Sequence, residues 1–156
     1  MKFTNIVAPA AAAAILAGIG VATAPTAAAF PTTGSFGARE SLSDAGGAVV
    51  TGWTISNLRP SSDNIPFPVT GRLYEATATA EADQGTVAPI VSDFNARTAN
   101  GQWYHVLDNV ATPQGVNPSA IGQGNKTTGK LYFDVTGAAP DSVVYNNGVQ
   151  DLLIWT

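Results

Sequence analysis

The one histidine of the chain, His105, is the first residue to consider for catalysis. A serine hydrolase needs a serine nucleophile, a histidine base and a carboxylate that orients the histidine. Ser92 and Asp93 could supply the other two groups, but no serine stands in the Gly-x-Ser-x-Gly turn that presents a nucleophile. The chain also has no cysteine for a histidine to activate. We therefore expect His105 to be an ordinary exposed strand residue, and we predict no catalytic residues.

Metal binding has little support from residue types and spacing. Zinc needs three or four Cys, His or carboxylate ligands, and the chain offers one histidine and no cysteine. Calcium takes oxygen ligands alone, so Glu81 with Asp83, and Asp141 with Asp151, leave a weak calcium site open. The sequence has no D-x-D-x-D-G loop, and its eleven acidic residues are explained by surface solubility. We predict no metal ligands and no cofactor.

Aromatic side chains are better candidates for binding. Trp53 shares a strand face with Val49 and Ile55, which predicts that it lies in the core. Trp103 and Tyr132 alternate with more apolar neighbours, which places both on outer strand faces. Exposed aromatic residues that form a patch mark sites of protein or glycan contact. We predict Trp103 and Tyr132 as surface-binding aromatics, with the alternative that a second sheet covers either of them.

The composition limits the kinds of partner. Only 12% of the residues are charged, which is about half the usual share. The formal net charge is −4, and the seven basic residues are scattered singly along the chain. Nucleic acids and anionic membrane surfaces require clustered Lys and Arg, so we exclude both as partners.

Residues 1–29 have the three parts of a signal peptide. Lys2 gives a weakly positive start, residues 10–22 are apolar, and alanines precede Phe30, where we predict cleavage. The alternative of a permanent membrane anchor is disfavoured because the segment is rich in Ala and Gly and is interrupted by Pro9. The leader lacks an Arg-Arg pair and the chain lacks a cysteine to acylate. We therefore expect export by the general secretory route and a secreted protein free of the membrane.

After the leader, apolar residues recur with a period of two, which is typical of strands. The pattern predicts strands over 48–56, 70–81, 88–97, 102–108, 128–136, 141–145 and 150–155. Asn100-Gly101 and Asn147-Gly148 predict tight hairpin turns, because Asn-Gly readily adopts positive φ. Short helical turns are expected only at 39–45 and 118–123.

This strand pattern predicts an all-β fold of two packed antiparallel sheets, with about seven or eight strands and no disulfide. Ala76, Ala78 and Ala80 share one strand face, so we expect them to pack against bulky side chains. Phe133 alternates as a core residue on the strand over 128–136. Since no repeat or linker divides residues 30–156, we predict a single domain.

Several segments carry a family resemblance. They are 74–80 (YEATATA), 94–101 (FNARTANG), 128–137 (TGKLYFDVTG), and 146–148 (NNG) followed by 151–155 (DLLIW). These segments resemble the small secreted immunogenic proteins of mycobacteria, and the likeness covers essentially all of residues 30–156. The resemblance implies an extracellular immunoglobulin-like sandwich that the immune system recognises strongly. It implies no known activity and transfers no site residues.

Three functions are consistent with these observations. The first is a non-enzymatic immunogenic protein that contacts a host or cell-envelope partner through its surface. The second is a carbohydrate or cell-wall binding module, which requires Trp103 and Tyr132 to be exposed and coplanar. The third is a small hydrolase that uses His105, which requires a pocket with a nucleophile and a carboxylate beside the ring. We favour the first, with the partner unidentified and the oligomeric state open.

Overall fold

The structure, a computed structural model, describes residues 30–109 and 111–156 and contains nine strands and two short 3-10 turns. The strands are β1 (Thr32–Gly34), β2 (Arg39–Asp44), β3 (Val49–Pro60), β4 (Arg72–Gln84), β5 (Phe94–Arg97), β6 (Trp103–His105), β7 (Lys126–Val135), β8 (Ser142–Asn146) and β9 (Asp151–Trp155). The turns are Ala45–Gly47 and Val91–Asp93. The predicted signal peptide, residues 1–29, lies outside the described residues. No helix within the described ranges is long and apolar enough to span a membrane.

The strands form two sheets that pack face to face. One sheet has five strands in the order β1-β9-β8-β5-β6, and the other has four in the order β2-β3-β4-β7. All neighbouring strands pair antiparallel except β1, which runs parallel to β9. The chain has no cysteine, so no disulfide joins the sheets. The predicted all-β sandwich is therefore confirmed.

The core between the sheets combines small residues on one sheet with aromatic residues on both. Ala76, Ala78 and Ala80 of β4 are fully buried in a cluster that contains Trp53 and Phe94. The rings of Trp53 and Phe94 meet edge to face, with centroids 4.8 Å apart. The alanines leave the space that these rings fill, as their spacing predicted. Both Trp53 and Phe133 also lie in this core, with 1% and 0% of their surface exposed.

Two hairpins form where the Asn-Gly pairs predicted them. β5 and β6 join through Gly101, and β8 and β9 join through Gly148. Each glycine has a φ of 85°, a left-handed conformation that disfavours side chains with a Cβ. The sequence signal for these turns is local, so it does not depend on the rest of the fold.

Two predicted helical turns are wrong. Of residues 39–45, Arg39–Asp44 form β2, which pairs residue by residue with β3, and the 3-10 turn starts only at Ala45. The segment 118–123 is not helical because Ile121 exchanges both backbone hydrogen bonds with Val87, at 2.8 and 2.9 Å. In both places pairing with another strand or segment overrides a weak local preference.

The predicted strand over 88–97 is shorter in the structure. A 3-10 turn at Val91–Asp93 precedes β5, so only Phe94–Arg97 is extended and paired. Ile90, which a regular alternation would place on the same side as Phe94, has 52% of its surface exposed, whereas Phe94 is fully buried. The alternation thus includes the paired residues, but it predicts a strand that begins too early in the chain.

One side of the sandwich is closed along the outer edge of β7. The Leu107 amide donates to the Tyr132 carbonyl at 2.8 Å, which connects the end of β6 to β7. Further along the same edge, the Lys130 amide donates to the Gln114 carbonyl at 2.7 Å. A side chain at Gly129 would collide with the backbone that makes this approach. The edge of β7 is therefore covered by two separate segments of chain.

Candidate functional site

Trp103 lies on the outer face of the five-stranded sheet, near the β5–β6 hairpin. Its side chain has 42% of its surface exposed, in agreement with the predicted outward orientation. The guanidinium carbon of Arg97, its cross-strand partner, is 5.1 Å from the centre of the indole ring. This cation–π contact restricts the ring without burying it.

Arg97 is itself held in place. Its Nη1 donates to Asp151 Oδ2 at 2.7 Å, and the amide of Asn146 donates to the other oxygen of Asp151 at 2.8 Å. A cleft of about 360 Å³ also borders Arg97, and Asp141, Ser142 and Ile154 are among its lining residues. We call Arg97, Trp103, His105 and Asp151 the Trp103 face. An exposed aromatic ring on a fixed polar frame is suited to binding another molecule.

Tyr132 does not form a pair with Trp103, because it is buried. Only 2% of its surface is exposed, and its ring packs with Ile65 and Leu73 on the outer side of the four-stranded sheet. Its hydroxyl donates to Asp63 Oδ2 at 2.6 Å. The predicted exposure of Tyr132 is therefore wrong. The alternation gave its face correctly, but the 61–71 segment between β3 and β4 covers that face.

A network of charged groups connects the same segment to the four-stranded sheet. Glu75 has 4% of its surface exposed, and its Oε1 accepts hydrogen bonds from Arg59 at 2.9 and 3.1 Å. Its Oε2 accepts from Ser61 at 2.6 Å and from Lys130 at 2.8 Å, and Lys130 also donates to Asp63 at 2.6 Å. We call these five residues and Tyr132 the Glu75 network. Sequence reasoning missed it, since its members lie as far as 73 positions apart, between Arg59 and Tyr132. The only local signal was a glutamate within an alanine-rich strand.

The electrostatics of the Glu75 network are self-compensating. Burial raises the pKa of the Glu75 carboxyl, but hydrogen bonds from Lys130, Ser61 and Arg59 outweigh burial and keep the pKa below its ordinary value. Hydrogen bonds from Lys130 and Tyr132 lower the pKa of Asp63. Burial and then the neighbouring Asp63 raise the pKa of Tyr132. Both carboxylates are thus ionised at neutral pH and are paired with groups of this network.

His105 has a neutral polar partner on the adjacent strand. Its Nδ1 lies 3.0 Å from Oδ1 of Asn95, a neutral amide on the adjacent strand. Within the described part of the chain, no serine or carboxylate hydrogen-bonds to the ring. Ser92 lines a cavity that His105 does not line. The structure therefore does not join Ser92, Asp93 and His105 through hydrogen bonds.

Of the four carboxylates considered for calcium, three form ion pairs with arginines and the fourth borders a cleft. Glu81 and Asp83 both pair with Arg39, at 3.6 Å for Glu81. Asp151 pairs with Arg97, while Asp141 borders the neighbouring cleft. Among residues 30–109 and 111–156, no group of three or more His, Cys, Asp or Glu is arranged to hold a metal ion.

The fold and these surfaces define a class: a disulfide-free, immunoglobulin-like β-sandwich with an aromatic residue presented on one outer face. Residues 31–155 match the family described as a domain of unknown function, DUF1942. The chain belongs to this family.

Curated relatives extend over the whole chain. Immunogenic protein MPB63 of Mycobacterium bovis and immunogenic protein MPT63 of Mycobacterium tuberculosis are each 48% identical to it, over 99% of both chains. The crystal structure of MPT63, described as a secreted protein from Mycobacterium tuberculosis, matches with a TM-score of 0.78 and 50% identity. That match covers 82% of this chain and 98% of the other. The resemblance seen in the sequence is confirmed.

Proposed function

We propose that this chain is exported through the general secretory route and acts outside the cell as a non-catalytic, immunogenic binding protein. In this proposal the leader is removed before Phe30, and residues 30–156 work as one domain. The names of its relatives, which include the words immunogenic and secreted, support this location. The partner is a protein of the host or of the cell envelope.

The observation that carries the proposal is the exposed Trp103 on a prearranged polar frame. Tryptophan and arginine dominate the binding energy of many protein interfaces. Because Arg97 is already fixed by Asp151, little conformational freedom is lost when a partner covers this surface. The Trp103 face therefore has the residue types and the rigidity that a protein-binding surface needs.

Capture experiments test the role of this face. Immobilised protein starting at Phe30 is incubated with surface proteins of host cells and with envelope proteins, and bound proteins are identified. We expect Trp103→Ala to lose the specific partner and Val149→Ala, which removes another exposed apolar side chain, to retain it. Recovery of background proteins alone, or equal capture by both variants, would overturn the proposal.

A carbohydrate-binding function is the second candidate, and the cleft that Arg97 borders favours it. Arg97 borders both the ring and this cleft, so a sugar stacked on the indole could hydrogen-bond to the guanidinium or to Asp141. The burial of Tyr132 removes the second ring that this function was expected to use. Co-sedimentation with insoluble cell-wall polysaccharide tests it: retention that Trp103→Ala abolishes supports it, and absence of retention excludes it.

The export part of the proposal has its own test. We expect protein recovered from the culture medium to begin at Phe30 when its N-terminus is sequenced. An N-terminus at Met1, or protein found only in the membrane fraction, would contradict cleavage.

A further inference from the structure

A cavity of about 650 Å³ lies beside the covered edge of β7, and none of the four residues of the Trp103 face lines it. Its walls come from residues 89–92 before β5, from residues 106–108 after β6, from part of residues 111–118 and from residues 130–132 of β7. The cavity exists because two segments cover the β7 edge at different points, Leu107 at Tyr132 and Gln114 at Lys130. A volume of this size is within the range of small-molecule sites, roughly 300–1,000 Å³.

The buried part of the cavity lining is apolar. Val106, Val116 and Leu131 line it and have 2%, 8% and 1% of their surface exposed. Ile90 also lines the cavity, and it is a large aliphatic side chain with 52% of its surface in solvent. An exposed isoleucine next to a concave apolar surface is stabilised when an apolar ligand covers both.

The polar groups around the cavity determine the charge of a suitable ligand. Lys130 is the only basic side chain among the described lining residues, and Asp63 and Glu75 already neutralise it. Asp108 is an exposed lining residue and has no ion pair within the described part of the chain. An anionic ligand would meet this carboxylate without an available cation, whereas a hydrogen-bond donor would find an acceptor.

We propose that this cavity binds an uncharged, largely apolar small molecule that carries a hydrogen-bond donor. The apolar part rests on Val106, Val116 and Leu131 and is covered at the rim by Ile90. The donor faces Asp108. This site is separate from the Trp103 face, so the chain has two binding surfaces with different ligand chemistry.

Two fluorescent probes with one scaffold test the proposal. N-phenyl-1-naphthylamine is uncharged and has an N–H donor, and 8-anilinonaphthalene-1-sulfonate adds an anionic group to the same rings. We expect the uncharged probe to bind saturably at one site and the sulfonate to bind about tenfold more weakly, which corresponds to about 1.4 kcal/mol. Amide chemical shifts should change at Val116, Leu131 and Tyr132 when the uncharged probe is added.

Matched variants locate the binding. Ile90→Asp should weaken binding of the uncharged probe by roughly fivefold or more, because it places a charge on an apolar rim. Val149→Asp makes the same kind of change on another exposed side chain and should leave binding unchanged. Ser92→Trp, at an exposed lining position, should block the cavity and provides a second variant if Ile90→Asp does not fold.

Three results would overturn the proposal. They are absence of saturable binding by the uncharged probe, equal or tighter binding of the sulfonate, and equal binding by Ile90→Asp and Val149→Asp. Trp103→Ala should bind the uncharged probe like the unmodified protein. The two proposals are therefore tested separately. Probe binding tests the cavity, and partner capture tests the Trp103 face.

Discussion

The two outer faces of the sandwich differ in what covers them. Tyr132 and Trp103 both point outward from their strands, yet 2% of Tyr132 and 42% of Trp103 is exposed. The 61–71 segment covers Tyr132 and supplies Asp63 to its hydroxyl. The hairpin beside Trp103 is too short to fold back over its sheet. Strand alternation therefore determines which way a side chain points, and the connection lengths determine whether it meets solvent.

The charged groups of the two faces differ in the same way. Glu75 and Asp151 each pair with an arginine, but the side chain of Glu75 is 6% exposed and that of Asp151 is 21% exposed. Glu75 also accepts hydrogen bonds from Ser61 and Lys130. A carboxylate removed from water depends on such partners, whereas one that keeps water contact depends on them less. The covered face should therefore contribute to stability, and the open face should contribute to binding.

The largest expected effect tests whether Tyr132 and its neighbour Phe133 point in opposite directions. Phe133 is fully buried between the sheets, so Phe133→Ala should lower the free energy of unfolding by about 3–5 kcal/mol. Urea unfolding followed by circular dichroism measures this. A change below about 1 kcal/mol would mean that the register of β7 is wrong.

The next effect compares the two carboxylates directly. Glu75→Ala removes the central acceptor of four hydrogen bonds and should cost about 2–4 kcal/mol in unfolding free energy. Asp151→Ala should cost about 0–1 kcal/mol, because Arg97 can be solvated. The same urea titrations measure both variants. Equal losses in the two variants would remove the distinction between the faces.

Acidification should act on the covered face. The pKa values of Asp63 and Glu75 in the folded protein lie below their ordinary values, so the unfolded chain takes up protons first as the pH falls. The stability that they contribute is complete above about pH 5 and is lost as the pH falls through the folded values. We expect the urea midpoint to fall between pH 7 and pH 3, and to fall less in Glu75→Gln. An equal fall in both proteins would assign the acid sensitivity to other groups.

The smallest expected effect on stability is at Trp103. Trp103→Ala removes an exposed ring and one cation–π contact, so it should cost about 1 kcal/mol or less. Thermal unfolding by circular dichroism measures this change. A loss as large as that of Glu75→Ala would show that Trp103 supports the fold, and its proposed role in binding would then need a variant that keeps the ring.

Much of the fold was predictable because its signals are local. Alternation at Ala76 and Phe133 identified core faces, and two Asn-Gly pairs identified the hairpins. β2 was missed because Arg39–Asp44 is extended only through pairing with β3. The cover over Tyr132 was missed for a similar reason, since the contact of Asp63 with Tyr132 spans 69 positions. Local patterns carry no information on such distant contacts.

The anchoring of the 61–71 segment bears on the resistance of the protein to proteases. Connections rich in Ser, Pro and Asn are usual sites of proteolytic nicking, because their backbone can extend into a protease active site. Here Ser61 and Asp63 tie the beginning of the segment to the sheet, and the amides of Thr70 and Gly71 donate to Asp134 at its end. Arg59 precedes a proline, which hinders trypsin-like cleavage at the entrance. In this chain, which has no cysteine, hydrogen bonds and ion pairs hold both ends of the segment, whereas many exported proteins use disulfides to hold such segments.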